Sequence, residues 1–224
     1  ARTAAFGPRD ERTLDVLHSL GGNLNLWKRY DQAEAIFREV VAQQRQATPD
    51  SWRLPKALND LSAAIRPQGR FEEALAVSRE SLSELERIMG PEHKHVPVAI
   101  ANVVANLISL ERYDEARPLI ERGHAIRLKI FGPDDPRIAD SLVQMANLER
   151  RIGGDGQSPA ARQALDRAVQ YVSDALRIRQ NIYKGDHESI AEGLSILGQI
   201  RMRQAQYADA CPTLRAAMEM RARL

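Results

Sequence analysis

Apolar residues recur at spacings of three and four along most of this chain. Leu17, Leu20 and Leu24 form one such set, Leu58, Leu61 and Ile65 a second, and Ile100, Val103 and Leu107 a third. Each set falls on one face of a helix. Each is followed by a phrase of aromatic, acidic, variable and Ala: Tyr30-Asp31-Gln32-Ala33, Phe71-Glu72-Glu73-Ala74 and Tyr113-Asp114-Glu115-Ala116, with Tyr207-Ala208-Asp209-Ala210 as a looser late copy. A second amphipathic stretch then follows, as in Ala116, Leu119, Ile120, Gly123, Ile126 and Ile130. Ala33 and Ala74 are 41 residues apart, Ala74 and Ala116 are 42 apart. A fixed period of that size marks stacked supersecondary units, here predicted as helix pairs. The expected fold is therefore an all-α solenoid, with the aromatic of each phrase in the turn between the two helices of a pair.

The breakers agree with this division. Phe6-Gly7-Pro8, Met89-Gly90-Pro91 and Phe131-Gly132-Pro133 each follow a predicted helix, where Gly can take the left-handed conformation that ends it and Pro blocks further winding. Pro55 and Pro97 are placed in first turns, as are Pro118 and Pro212 at the start of second helices, and Pro67 ends its helix at or before Arg66. Small residues at Gly21, Ser62, Ala146 and Gly198 allow close helix approach. The units predicted are a tail of a preceding repeat over 1–12, then 13–53, 54–95, 96–137, 138–189 and 190–224, as one solenoid segment. The fourth unit is about ten residues too long. Its excess lies at 153–160, around Gly153-Gly154-Asp155-Gly156, and is expected to be a flexible insertion; Leu165-Asp166-Arg167-Ala168 replaces the aromatic phrase.

Composition narrows the function classes. The chain has 224 residues, 43% hydrophobic and 28% charged, with a net charge of +2. That near balance predicts neither nucleic acid nor membrane as a partner, and no apolar run approaches the roughly 18–20 residues that span a bilayer. The single cysteine, Cys211, cannot form an internal disulfide and fits an intracellular, cytoplasmic setting. Lysine occurs only at Lys28, Lys56, Lys94, Lys129 and Lys184; arginine dominance with abundant alanine points to a GC-rich bacterial genome.

Catalytic signals are poor. His93-Lys94-His95 lies in an inter-repeat loop without further ligands, and Gly153-Gly154-Asp155-Gly156 lacks the Lys-Ser/Thr of a phosphate loop. Cys211 reads as a core thiol. Trp27 and Trp52 are either interface anchors or buried under a neighbouring unit. No reaction, metal or cofactor is expected.

The phrase, the run Ala125-Ile126-Arg127 leading to Phe131-Gly132-Pro133-Asp134-Asp135-Pro136, and Ala175-Leu176-Arg177-Ile178-Arg179 leading to Tyr183-Lys184-Gly185-Asp186-His187 resemble tetratricopeptide repeats of the kinesin-light-chain type. The resemblance implies a right-handed superhelical array whose first helices line a concave face that binds a peptide or partner domain. On that face it places Asn59, Arg66, Asn102, Gln144, Asn147, Arg150, Ser195, Gln199 and Arg203. Amides both donate to and accept from a peptide backbone, and Arg66, Arg150, Arg151 and Arg203 could clamp a carboxylate. Asn102 stands where such repeats usually carry asparagine. Two other readings fit the same pattern: a regulatory region of a larger bacterial signalling enzyme, such as a protein kinase or ATPase, and end-to-end self-association.

Overall fold

The computed structural model describes residues 10–224; the Phe6-Gly7-Pro8 turn and most of the expected leading tail lie outside these residues. Ten α-helices and one 3-10 turn make up the described chain, with no strand among the described residues. Two compact units divide it, one up to Arg112 and one from Tyr113. The first unit holds α1 (Glu11–Leu26), α2 (Tyr30–Ala47), α3 (Arg53–Ile65), the 3-10 turn Arg66–Gln68, α4 (Phe71–Met89) and α5 (Val96–Ser109). The second holds α6 (Tyr113–Phe131), α7 (Pro136–Gly153), α8 (Pro159–Ile182), α9 (Glu188–Arg203) and α10 (Tyr207–Arg223). Within each unit every helix packs on the next in sequence, and in the first unit α3 also touches α1 and α5.

The recurring phrase opens the second helix of each pair and does not lie in the turn before it. Tyr30, Phe71, Tyr113 and Tyr207 are the first residues of α2, α4, α6 and α10. This explains the acidic position: a carboxylate in the first turn meets the positive end of the helix dipole. It explains the alanine as well. Ala33, Ala74, Ala116 and Ala210 have no exposed surface, because each sits where two helices pack too closely for a larger side chain. Pro118 and Pro212 consequently fall inside their helices, six residues in, and not at the start. The turn itself is built two residues before the aromatic. Lys28, Gly69, Glu111 and Ala205 all have left-handed backbones, with φ of 60°, 80°, 57° and 58°. Only glycine takes that conformation freely; a side chain there costs on the order of 1–2 kcal/mol.

The predicted core positions divide. Leu58, Leu61, Ile65, Ile100, Val103 and Leu107 are buried as expected. Leu24 is buried as well; Leu20 is exposed, and Leu14 joins Leu24 on the inner face of α1 instead; Ile130 is exposed at the end of α6. Gly21 and Gly198 have the predicted role: an added Cβ would lie 2.8 Å from the Phe37 ring and 2.6 Å from Leu214. Cys211 is exposed on α10 and is no core thiol, since α10 buries only Ala210 and Ala217. Trp27 and Trp52 are not buried either, with 67% and 48% of their surfaces exposed.

Polar groups tie the layers together. In the first unit Asn106 of α5 is buried and donates to Ser62 of α3 at 3.0 Å and Ser78 of α4 at 3.1 Å. Glu34 of α2 accepts from Arg38, from Gln68 at 2.7 Å and from Arg70 at 2.8 Å. Burial pushes the Glu34 carboxyl up, but the hydrogen bonds from Arg38, Gln68 and Arg70 outweigh it and hold the group below the ordinary glutamate range. A depressed folded value means that the stabilisation is complete above the unfolded glutamate value, about 4.3, and is lost as pH falls through the folded one. Glu34→Gln should therefore lower the melting temperature at neutral pH. In thermal melts across pH the deficit should shrink below about pH 4; a deficit that grew with acid would contradict this account.

Candidate functional site

Trp52 and Lys56 line two cavities in the first unit. One, of about 230 Å³, is lined by Trp52, Pro55, Lys56 and Asn59 of α3 and its approach, Ser81 and Leu85 of α4, and His95 and Val98 at the start of α5. The other, of about 190 Å³, is lined by Asp15, His18 and Ser19 of α1, Gln44 and Arg53, together with Trp52 and Lys56. Helix geometry makes this continuous. Trp52, Lys56 and Asn59 follow one another at spacings of four and three, so their side chains share one face.

The first cavity is apolar with a few directed polar groups. Trp52, Pro55, Leu85 and Val98 supply its hydrophobic walls. The Oδ1 of Asn59 is buried and has no hydrogen-bond partner. An unpaired buried acceptor costs about 1–3 kcal/mol. Lys56 reaches both cavities and forms no ion pair among the described residues. His95 is pushed below the ordinary histidine value by burial, then by His93 and Lys94, which favours its neutral imidazole. The second cavity is more polar. His18 Nε2 lies 2.7 Å from the Asp60 carboxylate, Asp15 pairs with Arg53 at 3.5 Å, and Gln44 Oε1 is buried without a partner.

The residues expected on the binding face fall into two groups, one in each unit. In the first unit Asn59 lines the apolar cavity. Asn102 of α5 is half-buried, four residues after Val98 and so on the same helix face. Arg66 is exposed and starts the 3-10 turn beyond α3. In the second unit four of the residues form one cluster. Arg150 Nη2 donates to Asn147 Oδ1 at 3.1 Å, Arg150 Nη1 lies 3.5 Å from Gln199 Oε1, and Arg203 Nη1 donates to the Arg150 carbonyl at 2.9 Å. Gln144 is half-buried on α7 outside this cluster. Ser195 turns to α10 and accepts from Arg221 at 3.2 Å.

Two carbonyls of the glycine-rich insertion accept hydrogen bonds from arginines. Arg162 Nε donates to the Gly156 carbonyl at 3.1 Å and Arg203 Nη1 to the Gly154 carbonyl at 3.1 Å. Ser158 then caps α8 by accepting from the Ala161 N–H. A polar cavity of about 460 Å³ lies beside this loop, lined by Asp155, Gly156, Arg162, Asp166, Arg203 and Gln204 among others.

From the sequence, Val98 with Ala101 and Ala105 reads as an apolar patch in the groove that could accept an anchor, but the cavity as a whole does not stand out. Trp52 was a signal, an aromatic four residues ahead of Lys56, but the partner walls come from Leu85 and Val98, which are remote in sequence. Among the described residues no group of three or more His, Cys, Asp or Glu could hold a metal, and no helix is long and apolar enough to cross a membrane.

Comparison with known proteins bears on the architecture. Residues 56–95 and 98–137 match a tetratricopeptide repeat model. No curated protein sequence matches the chain. Among solved structures, BtubC (BKLC) from P. vanneervenii is 18% identical over 94% of this chain and 80% of its own, with a TM-score of 0.76. The kinesin-light-chain-type, nearly identical TPR-like repeats of Podospora anserina are 18% identical over 96% of each chain, also at 0.76. MamA from Desulfovibrio magneticus RS-1 is 15% identical over 93% of this chain and 95% of its own, at 0.56. At these identities the likeness is one of fold. Residues 56–95 and 98–137 are thus tetratricopeptide repeats, set in a chain whose fold is that of kinesin-light-chain-like repeat proteins.

Proposed function

We propose that the chain is a protein-interaction scaffold and that its first unit takes an extended segment of a protein partner along α3 and α5. The repeat fold supports protein interaction in general; the finer reading rests on one observation, Asn59, whose Oδ1 is unpaired, lining a cavity walled by Trp52, Pro55, Leu85 and Val98. At about 230 Å³ the cavity is smaller than most small-molecule sites, which start near roughly 300 Å³. It suits one apolar side chain of the partner, whose burial contributes about 1.5–3 kcal/mol. Asn59 would pair with the neighbouring peptide bond, and Asn102 would continue the same register along the segment. Catalysis has no part in this proposal.

A peptide selected for binding to the wild-type protein gives the test. The double variant Asn59→Ala, Asn102→Ala should bind it about tenfold more weakly, a loss near 1.4 kcal/mol, by fluorescence anisotropy. Unchanged affinity would place the docking surface elsewhere.

A further inference from the structure

Several arginines of the second unit are matched by carboxylates. Arg117 and Arg167 face Glu149, Arg179 faces Asp140 and Glu192, Arg137 faces Asp135, Arg221 faces Glu188 and Arg223 faces Asp186. Others have no carboxylate within ion-pair distance, among them Arg150 and Arg151 at the end of α7 and Arg203 at the end of α9, where Arg203 meets α7 through the Arg150 carbonyl. The Arg150 side chain is half-buried, and burial first, then Arg203, then Arg151 hold its pKa below the usual arginine value. Its orientation is nonetheless fixed, by Asn147 Oδ1 at 3.1 Å and Gln199 Oε1 at 3.5 Å. Its Nε is buried and has no hydrogen-bond partner. Arg203 is anchored through Nη1 alone, on the carbonyls of Arg150 and Gly154, which leaves its Nε and Nη2 edge unoccupied.

Half-burying a cation and setting two more beside it is unfavourable without a counter-charge. The neutral amides and carbonyls that fix Arg150 and Arg203 supply geometry but no charge. A guanidinium fork oriented in this way matches an oxyanion bidentately. Three adjacent positive charges favour a dianion over a monoanion, and a phosphoryl group carries about −1.5 to −2 at neutral pH with three acceptor oxygens. We infer that Arg150, Arg203 and Arg151 form a receptor for a phosphorylated side chain of the protein partner. The inference rests on the scaffold reading, but it concerns the second unit and is independent of the Trp52 cavity.

The test reads the arginine Nε–Hε signals of ¹⁵N-labelled protein at constant ionic strength. The probes are a short phosphoserine peptide of otherwise neutral sequence, its serine and glutamate counterparts, and inorganic phosphate. The phosphoserine peptide should shift the Arg150 and Arg203 signals to saturation at about tenfold lower concentration than the glutamate peptide. The serine peptide should leave them in place, and inorganic phosphate should bind more weakly than the phosphoserine peptide. Arg150→Gln and, separately, Arg203→Gln should abolish the response, with circular dichroism confirming the fold of each. Equal or tighter binding of the glutamate peptide would make this a carboxylate site and overturn the inference. Inorganic phosphate binding as tightly as the peptide would overturn the partner-borne source. No shift of the wild-type signals with any probe would overturn the site altogether, while leaving docking in the first unit untouched.

Discussion

Replacing Arg117 and Arg167 together with alanine should destabilise the second unit by about 3–5 kcal/mol, the cost of stranding a buried charge. The charge is Glu149 of α7, 1% exposed. One carboxylate oxygen accepts from Arg117 of α6, the other from Arg167 of α8, whose Nη2 lies at 2.8 Å. Three successive helices thus meet at one carboxylate. The two arginines are partly exposed and can be hydrated if their partner is removed; the carboxylate cannot. The effect should therefore be asymmetric. Glu149→Gln keeps the shape, removes the charge and leaves the arginines to water, so it should cost clearly less than the double arginine variant. Urea denaturation of the three proteins decides this, and a Glu149→Gln deficit equal to or larger than that of the double variant would show that the network does not work as described.

The second large effect is expected at Gly153, the last residue of α7. A Cβ there would lie 2.6 Å from both Cγ and Cδ2 of Leu165 and 3.1 Å from the Ala161 carbonyl oxygen. Leu165 is fully buried in the second unit's core, so it has little room to move, and the Ala161 oxygen belongs to backbone. Gly153→Ala should cost about 1–3 kcal/mol through overpacking. The same change at Gly22, inside α1, meets nothing within 4 Å and should stabilise by about 0.5–1 kcal/mol, because alanine is the better helix former. Opposite signs in parallel thermal melts are the expected result. Stabilisation by Gly153→Ala would mean that α7 and α8 are less tightly packed than described.

The helix pairs were legible because their signals are local and repeated. The spacing of Leu58, Leu61 and Ile65 and the recurrence of the phrase each lie within one turn or one period. The turns were harder to read. Lys28, Glu111 and Ala205 take left-handed backbones, yet none of these residue types announces one, and only Gly69 does. The phrase was accordingly placed one step too early, in the turn instead of at the head of the helix. Side chains on exposed faces were harder still. Trp52 could be read as anchor or core until its neighbours were known, and those neighbours include Leu85 and Val98 from two other segments. The Arg150 and Arg203 cluster joins residues 53 positions apart, and the absence of a carboxylate within ion-pair distance of it is a property of packing that charge counting along the chain does not reveal. The buried Asn106 node is of the same kind: its partners Ser62 and Ser78 are on other helices.

The central claim is that a partner segment docks on the α3 and α5 face of the first unit. Val98→Glu tests it most directly. Val98 lines the apolar cavity and is half exposed, so a carboxylate there should leave the fold intact while placing charge where an apolar side chain would sit. Isothermal titration of a peptide selected on the wild-type protein should show at least about a tenfold loss of affinity, near 1.4 kcal/mol, with an unchanged circular dichroism melt. Equal affinity for Val98→Glu and wild type would contradict the claim.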